Sequence, residues 1–293
     1  MKVTVFPSLT WNFSAGQHCF LYFPNLRTNP FQSHPFSIAS WNDATKPQIE
    51  TTLNTTSSSS LTPEFSGQAP PRHSTHHPTT PIIELQDIPL NITQPSPATS
   101  FPKYPSKPSI SFLVRPEHGL TGHLHAHLLK CPKTSIPVLI EGPYGSAPTT
   151  KFHNADAILA IVGGIGITSI LGYLELYLSA ENKHSRPSRF VLVWTVREES
   201  LIAAVNSQIG DFEVLKGRGV EVRIVCTGNG EGGRVDAREV VVTEVMSEGG
   251  KGRKVCVICC GPGGLADSVR AAVVDVVGKK GVHVDLVEEV FCW

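Results

Sequence analysis

The chain has 293 residues, with 25 basic and 25 acidic side chains and a formal net charge of +0, so no overall field draws it to nucleic acid or to an acidic surface. That length accommodates two domains with cores of their own. Seven cysteines, read as scattered and without a C-x-x-C pair, and an opening Met1-Lys2-Val3-Thr4-Val5-Phe6 without a long apolar stretch, lead us to expect no secretory signal and a reducing, cytosolic setting.

Residues 1 to 40 contain short strand-like runs, Lys2 to Phe6 and His18 to Phe23, punctuated by Ser14-Ala15-Gly16 and Pro24-Asn25, and read as antiparallel β. From about residue 42 to 107 the composition changes. Thr51 to Ser60 is almost wholly Thr and Ser, and Gln68 to Pro81 and Gln94 to Pro108 are rich in Pro, Ser and Thr. Such a stretch buries too little apolar surface to offset its ordering entropy, so an insertion of roughly 65 residues is expected as a disordered loop extruded from the β domain. His73, His76 and His77 lie within it, and no metal site is assigned to them.

Strand signals resume at Ser109 to Arg115 and Val138 to Glu141, with turn or loop signals between. After Tyr144-Gly145-Ser146-Ala147-Pro148 the pattern becomes α/β. Strands are expected at 157 to 162, 190 to 196, 221 to 226, 254 to 259 and 282 to 287, and helices at 168 to 180, 198 to 207, 235 to 247 and 265 to 277. Apolar strands alternating with helices imply a parallel sheet covered on both faces, with ligands at the carboxyl ends of its strands. The division expected is a β domain over 1–148 and an α/β domain over 149–293.

Two glycine-rich turns follow apolar strands in that second part: Val162-Gly163-Gly164-Ile165-Gly166-Ile167-Thr168 and Cys260-Gly261-Pro262-Gly263-Gly264. The first can cradle a pyrophosphate on the N–H groups of the helix it opens, with Thr168 adding a hydroxyl. It is neither G-x-G-x-x-G nor a P-loop, which needs a lysine before the Ser/Thr. Ala157 to Leu174 carries no ionisable side chain over 18 residues, but Gly-Gly-Ile-Gly in its middle and the flanking Asp156 and Glu175 argue against a membrane span.

Gln32-Ser33-His34-Pro35-Phe36-Ser37-Ile38-Ala39-Ser40 joins these turns to a family. It resembles the H-P-F-[ST]-I-A-S flavin signature of the ferric reductase and NADPH oxidase branch of ferredoxin-reductase-like flavoproteins. Glu141-Gly142-Pro143-Tyr144-Gly145, the Gly-Gly-x-Gly-x-Thr turn, Cys-Gly-Pro-Gly-Gly and an ending similar to E-E-x-F-x-W follow in the same order. The resemblance implies an antiparallel β-barrel that binds FAD, followed by a Rossmann-like α/β domain that binds NAD(P). It places His34, Pro35, Phe36 and Ser37 along the isoalloxazine and ribityl side, and Arg115, Gly119, Leu120 and Thr121 at the FAD diphosphate. Gly163, Gly164, Gly166 and Thr168 are expected at the nicotinamide-cofactor diphosphate, and Cys260, Gly261, Pro262 and Gly263 at the nicotinamide. Glu289 belongs with the terminal residues, of which Phe291 or Trp293 covers the flavin. Thr195 and Arg197, at the end of the next strand, can donate to a 2'-phosphate, which favours NADPH over NADH.

The activity implied is hydride transfer from NADPH to FAD, with electrons passed on to ferric chelates through a haem-bearing membrane domain that this chain does not carry. The alternatives are superoxide production of the NADPH oxidase type and a cofactor-binding remnant without turnover. In the family architecture this module lies on the cytosolic side of a membrane; the chain alone is expected to be soluble, and its oligomeric state is left open. Because it begins near Val3-Thr4-Val5, the barrel is expected to lack a first strand and to present an unpaired edge.

Overall fold

The computed structural model describes residues 1–7, 12–26, 32–42, 82–86, 108–132, 134–145, 149–180, 187–209, 212–228, 233–246, 252–279 and 281–289. The antiparallel part comprises β1 (Lys2–Phe6), β2 (His18–Tyr22), β3 (Ser33–Ser37), β4 (Ser40–Asn42), β5 (Ile82–Gln86), β6 (Ser109–Leu113), α1 (Leu120–Lys130), β7 (Ser135–Pro137) and β8 (Leu139–Tyr144). Its strands form two sheets, ordered β4-β6-β1-β5-β7 and β3-β2-β8. Alternation explains how they enclose one core: Val3 and Val5 of β1, Cys19 and Leu21 of β2, and Ile110 and Phe112 of β6 are all buried and cluster together.

Two expectations are corrected here. First, β1 is not an exposed edge. It lies inside its sheet, antiparallel to β6 with Val3 opposite Phe112, and to β5 with Val3 opposite Leu85. Secondly, the stretch from 42 to 107 is not structureless throughout, because Ile82–Gln86 forms β5 between β1 and β7. The Thr/Ser-rich and proline-rich remainder of that stretch, with its three histidines, lies outside the described residues. The signal for β5 is a short apolar run, Pro81-Ile82-Ile83-Glu84-Leu85, outweighed by its surroundings.

The segment expected as loop between 115 and 138 contains α1. Its Leu120, Leu124 and Leu128 recur every fourth residue and are buried against the antiparallel core. Gly119, Gly122 and three intervening histidines, all poor helix formers, conceal that stripe in the sequence.

The second part runs α2 (Thr149–His153), β9 (Ala157–Gly163), a 3₁₀ turn over Gly164–Gly166, α3 (Ile167–Ser179), β10 (Arg189–Val196), α4 (Glu199–Ile209), α5 (Phe212–Lys216), β11 (Val220–Cys226), α6 (Ala237–Met246), β12 (Lys254–Cys260), α7 (Gly263–Val277) and β13 (His283–Glu288). All its strand pairs are parallel, in the order β11-β10-β9-β12-β13. Each expected strand and each expected main helix is present within two residues. The apolar run Ala157 to Leu174 divides into strand, turn and helix, and among the described residues no helix is long and apolar enough to cross a membrane.

Both faces of this sheet are dry. Ile158, Ala160 and Val162 of β9 join α3's Ile170, Tyr173 and Tyr177 and the buried Trp194, whereas Leu159 and Ile161 join Val241, Val245, Val269 and Val273 of α6 and α7. Period two also settles the cysteines of β12. Cys256 and Cys259 do stand in C-x-x-C spacing, which corrects the reading of no such pair, but three residues apart on a strand they face opposite cores. All six described cysteines are free thiols.

Leu124→Ala tests whether α1 is structural. With its side chain wholly buried, the substitution should lower stability by about 2–5 kcal/mol in urea unfolding; a loss under ~0.5 kcal/mol would mean that α1 is a surface appendage.

Candidate functional site

Chain order turns back at the centre of the parallel sheet: β10 and β11 lie to one side of β9, β12 and β13 to the other. A crevice is expected outside the carboxyl ends of β9 and β12, where both glycine turns fall. The glycines there do two different things. A Cβ on Gly163 would lie 2.7 Å from Pro262 Cδ, one on Gly261 3.0 Å from Gly163 N, and one on Gly166 2.7 Å from Cys260 O and 2.9 Å from its Sγ. These three let the two turns touch. Gly164, with φ of 53°, and Gly263 and Gly264 have nothing within 4 Å of a Cβ position, so the open side of the cradle is theirs.

Helices α3 and α7 start at these turns with no acidic residue in the first turn and no side-chain cap; Ile167 N–H of α3 donates to Gly164 O and Ile165 O, and Leu265 N–H of α7 to Pro262 O, so an anion would be met by the N–H groups that precede these in each glycine turn. Trp194 anchors the first turn by donating Nε1–H to the carbonyl of Gly164 at 2.9 Å. Thr168 is buried and donates its hydroxyl to Ile165 O at 3.0 Å, closing its own turn. Thr195 donates to Val162 O at 3.1 Å, so the hydroxyl expected to serve a 2'-phosphate is already engaged. Arg197, just beyond β10, is exposed.

Strand β3 separates the four residues of the flavin signature. Paired residues of neighbouring strands share a face, and Phe36 opposes Cys19 while His34 opposes Leu21. His34 and Phe36 therefore lie on the core side, with the Phe36 ring 6.3 Å from Phe112. Pro35 and Ser37 lie on the other face with Phe20 and His18, whose rings pack with Tyr144. Tyr144 and Tyr22 both donate to Glu141, the latter at 2.6 Å, and hold its carboxyl below the usual range. This places the Glu141 to Gly145 motif beside the flavin signature, opposite β2.

Ser37 reaches the α/β part. Its Oγ accepts from Ser169 Oγ at 3.1 Å, and Ser169 in turn accepts from Cys260 Sγ at 3.6 Å. Burial pushes the Cys260 thiol up to about 11, opposed by its hydrogen bond to Ser169, so it is protonated at neutral pH. Nearby, Tyr173 donates to Glu289 at 2.8 Å, and both crowd Gly16: a Cβ there would sit 2.5 Å from the Tyr173 hydroxyl and from Glu289 Oε1. Burial drives the Glu289 carboxyl up to about 7, with the Tyr173 hydrogen bond opposing it. Phe291 and Trp293 lie outside the described residues.

At the other end, Gly119, with φ of 87°, opens α1, which also lacks a side-chain cap and a first-turn acid. Thr121 Oγ1 accepts from Glu117 N at 2.9 Å. Arg115 is exposed and bridges to Glu117 at 3.5 Å and, across to the α/β part, to Glu198 at 3.0 Å. Three uncapped helix starts, open glycines and a nearby guanidinium fit two diphosphate-bearing cofactors, provided that Arg115 exchanges its carboxylates for phosphate. Ser169, Tyr173 and Glu198 are the participants that sequence reasoning missed, and Trp194, expected with Thr195 and Arg197 at the end of its strand, anchors the first glycine turn. Only Ser169, directly after the Gly-Gly-x-Gly-x-Thr motif, carried a signal that could have found it.

Comparison with known proteins follows this geometry. Residues 1–84 match the FAD-binding domain family, and residues 155–237 match the ferric reductase NAD binding domain. The chain is similar to Ferric reductase transmembrane component 6 of Saccharomyces cerevisiae, 22% identical over 211 residues, a match that spans 62% of this chain and 29% of that protein. It also superposes on the CS-b5R domains of human Ncb5or in their NAD+ form with a TM-score of 0.55 at 16% identity, over 97% of this chain and 65% of the other, which shows the fold. A mutant ferredoxin-NADP+ reductase of Plasmodium falciparum in complex with 2'P-AMP gives 0.49 at 12% identity, over 97% and 95%.

Glu289 makes stability depend on pH. An acid whose folded value, about 7, exceeds its ordinary 4.5 contributes stability that is complete below about 4.5 and is lost as pH rises through about 7. Between pH 5 and 8 the protein should lose about 1–2 kcal/mol more than Glu289→Gln, a figure discounted for partial exposure. Parallel urea midpoints for the two proteins across that range would remove the shift.

Proposed function

Since the chain carries an FAD-binding domain followed by a ferric reductase NAD binding domain, we propose that it is a reductase module that passes a hydride from NADPH to FAD and sends electrons on, one at a time, to ferric chelates through a haem-bearing membrane domain. The observation that carries this reading is the meeting of Ser37 with Ser169 and Cys260, where the flavin signature abuts the carboxyl ends of β9 and β12. Bound FAD supplies what the side chains lack, acceptance of two electrons together and their release singly.

The division of labour follows 1–148 and 149–293. In the first part, Arg115, Gly119 and Thr121 hold the FAD diphosphate at the start of α1, and Pro35 and Ser37 face the ring while His34 and Phe36 support the strand from the core. In the second, Gly164 and the first turn of α3 hold the nicotinamide-cofactor diphosphate, and Gly163, Gly166 and Gly261 keep the two turns in contact. Cys260 and Gly263 flank the nicotinamide, where small groups permit close stacking. Glu289, half-neutral near pH 7, can hold or release a proton beside that junction. Phe291 or Trp293 is assigned the flavin cover. Arg197 alone is left to recognise a 2'-phosphate, which favours NADPH over NADH.

Anaerobic stopped-flow absorbance tests the reading: NADPH should bleach the oxidised-flavin band of FAD-loaded protein. An unchanged band under saturating NADPH would overturn hydride transfer and favour a remnant that binds cofactor without turnover. Arg197→Ala should weaken NADPH binding by about 1–2 kcal/mol and leave NADH unaffected; equal losses for both nucleotides would remove Arg197 from that role. Arg115→Ala should weaken FAD binding by about 1–2 kcal/mol in equilibrium dialysis, less than a free guanidinium would supply because Glu198 and Glu117 must be displaced.

A further inference from the structure

Ser169 is buried at the start of α3 and lies between the two groups assigned to opposite cofactors: Cys260 Sγ donates to its hydroxyl at 3.6 Å, and it donates to Ser37 Oγ at 3.1 Å. The direction of this line follows from chemistry. A hydroxyl has one proton to give, and a thiol sulfur is a weak acceptor, so a protonated Cys260 acts as donor to Ser169 and leaves the Ser169 proton for Ser37. The thiol keeps its proton at neutral pH because burial raises it to about 11. Ser37, accepting from Ser169, has its own proton left for a further partner.

We propose that Ser169 is a positioning residue that fixes Ser37 as a hydrogen-bond donor to the polar edge of a bound flavin ring, so that the redox balance of the flavin is tuned from the nicotinamide side of the junction. The inference rests on the FAD reading above. A donor held at the ring edge gains strength as the ring takes up negative charge, and so favours the reduced flavin over the oxidised one. Without Ser169, the Ser37 hydroxyl is free to rotate and serve as acceptor or donor.

The midpoint potential of protein-bound FAD, read by anaerobic dithionite titration against a reference dye, tests this without turnover. Ser169→Ala should lower the preference for reduced over oxidised FAD by three- to tenfold, which is about 15–30 mV for a two-electron couple. Ser37→Ala should lower it at least as much, and the double variant should fall no further than Ser37→Ala alone. Cys260→Ala, which removes the thiol but leaves Ser169 in place, should give a smaller drop of the same sign and serves if Ser169→Ala does not fold. A wild-type potential in either Ser169→Ala or Cys260→Ala, or additive losses in the double variant, would overturn the proposal while leaving FAD binding intact. Failure of the unmodified protein to take up FAD would instead overturn the reading beneath it, and the proposal with it.

Discussion

Everything in this protein that brings two cofactor-sized surfaces together depends on how the N-terminal half of α3 is seated. From Ile167 to Leu174 every residue is buried, because one side of the helix lies on the parallel sheet and the other meets the antiparallel part. Gly172 makes that second contact possible: a Cβ there would fall 3.2 Å from Ala15 Cα and 3.4 Å from the Trp41 ring. Across the same seam Gly16, with φ of 77°, approaches Tyr173 and Glu289 so closely that no other residue fits without displacing them. Ser169 then reaches Ser37 as a consequence of the helix position. Small residues at the seam are what let a polar contact form inside an otherwise apolar junction.

The seam also sets the electrostatics. Cys260, Tyr173 and Glu289 are all shifted toward their neutral forms, and loss of water is the leading cause for each. Exclusion of water from Tyr173 and Cys260 strengthens the hydrogen bonds that they make and keeps the thiol protonated, as a donor. Charges are kept at the margin instead, where Arg115 pairs with Glu198 and Glu117 in contact with solvent. That arrangement separates a buried seam of neutral groups from an exposed margin that carries the guanidinium.

The glycine turns illustrate a division that sequence cannot express. The glycines of Gly163 to Gly166 and of Gly261 to Gly264 read alike as small residues that let a cofactor approach, the first set at its diphosphate and the second at its nicotinamide. In the fold, some are small because the two turns touch each other, and the remainder are small on the open side. Trp194, which the sequence sets only beside Thr195 and Arg197 at the end of a strand, proves to fix the carbonyl of Gly164 from that neighbouring strand.

How much was legible follows from the range of the signals. The β9–α3 and β12–α7 units were readable because apolar strands, glycine turns and helix periodicity are local, and period-two burial on both faces declares a parallel sheet. The motif order likewise pointed to an FAD-binding domain and a ferric reductase NAD binding domain, which the family models match at residues 1–84 and 155–237. What the sequence left out is non-local. It could not show that β5 returns from within a Thr- and Pro-rich stretch to flank β1, and it obscured α1 behind glycines and histidines. Nor could it tell that C-x-x-C spacing on β12 separates two thiols, or that strand alternation sends His34 and Phe36 to the core and Pro35 and Ser37 to the other face. Sequence alone determined the elements of the parallel sheet and the kind of cofactor domain, since both are encoded in contiguous residues. Only the tertiary structure decided which side chains meet, because Ser37, Ser169 and Cys260 are brought within hydrogen-bond reach by packing between segments more than 90 residues apart.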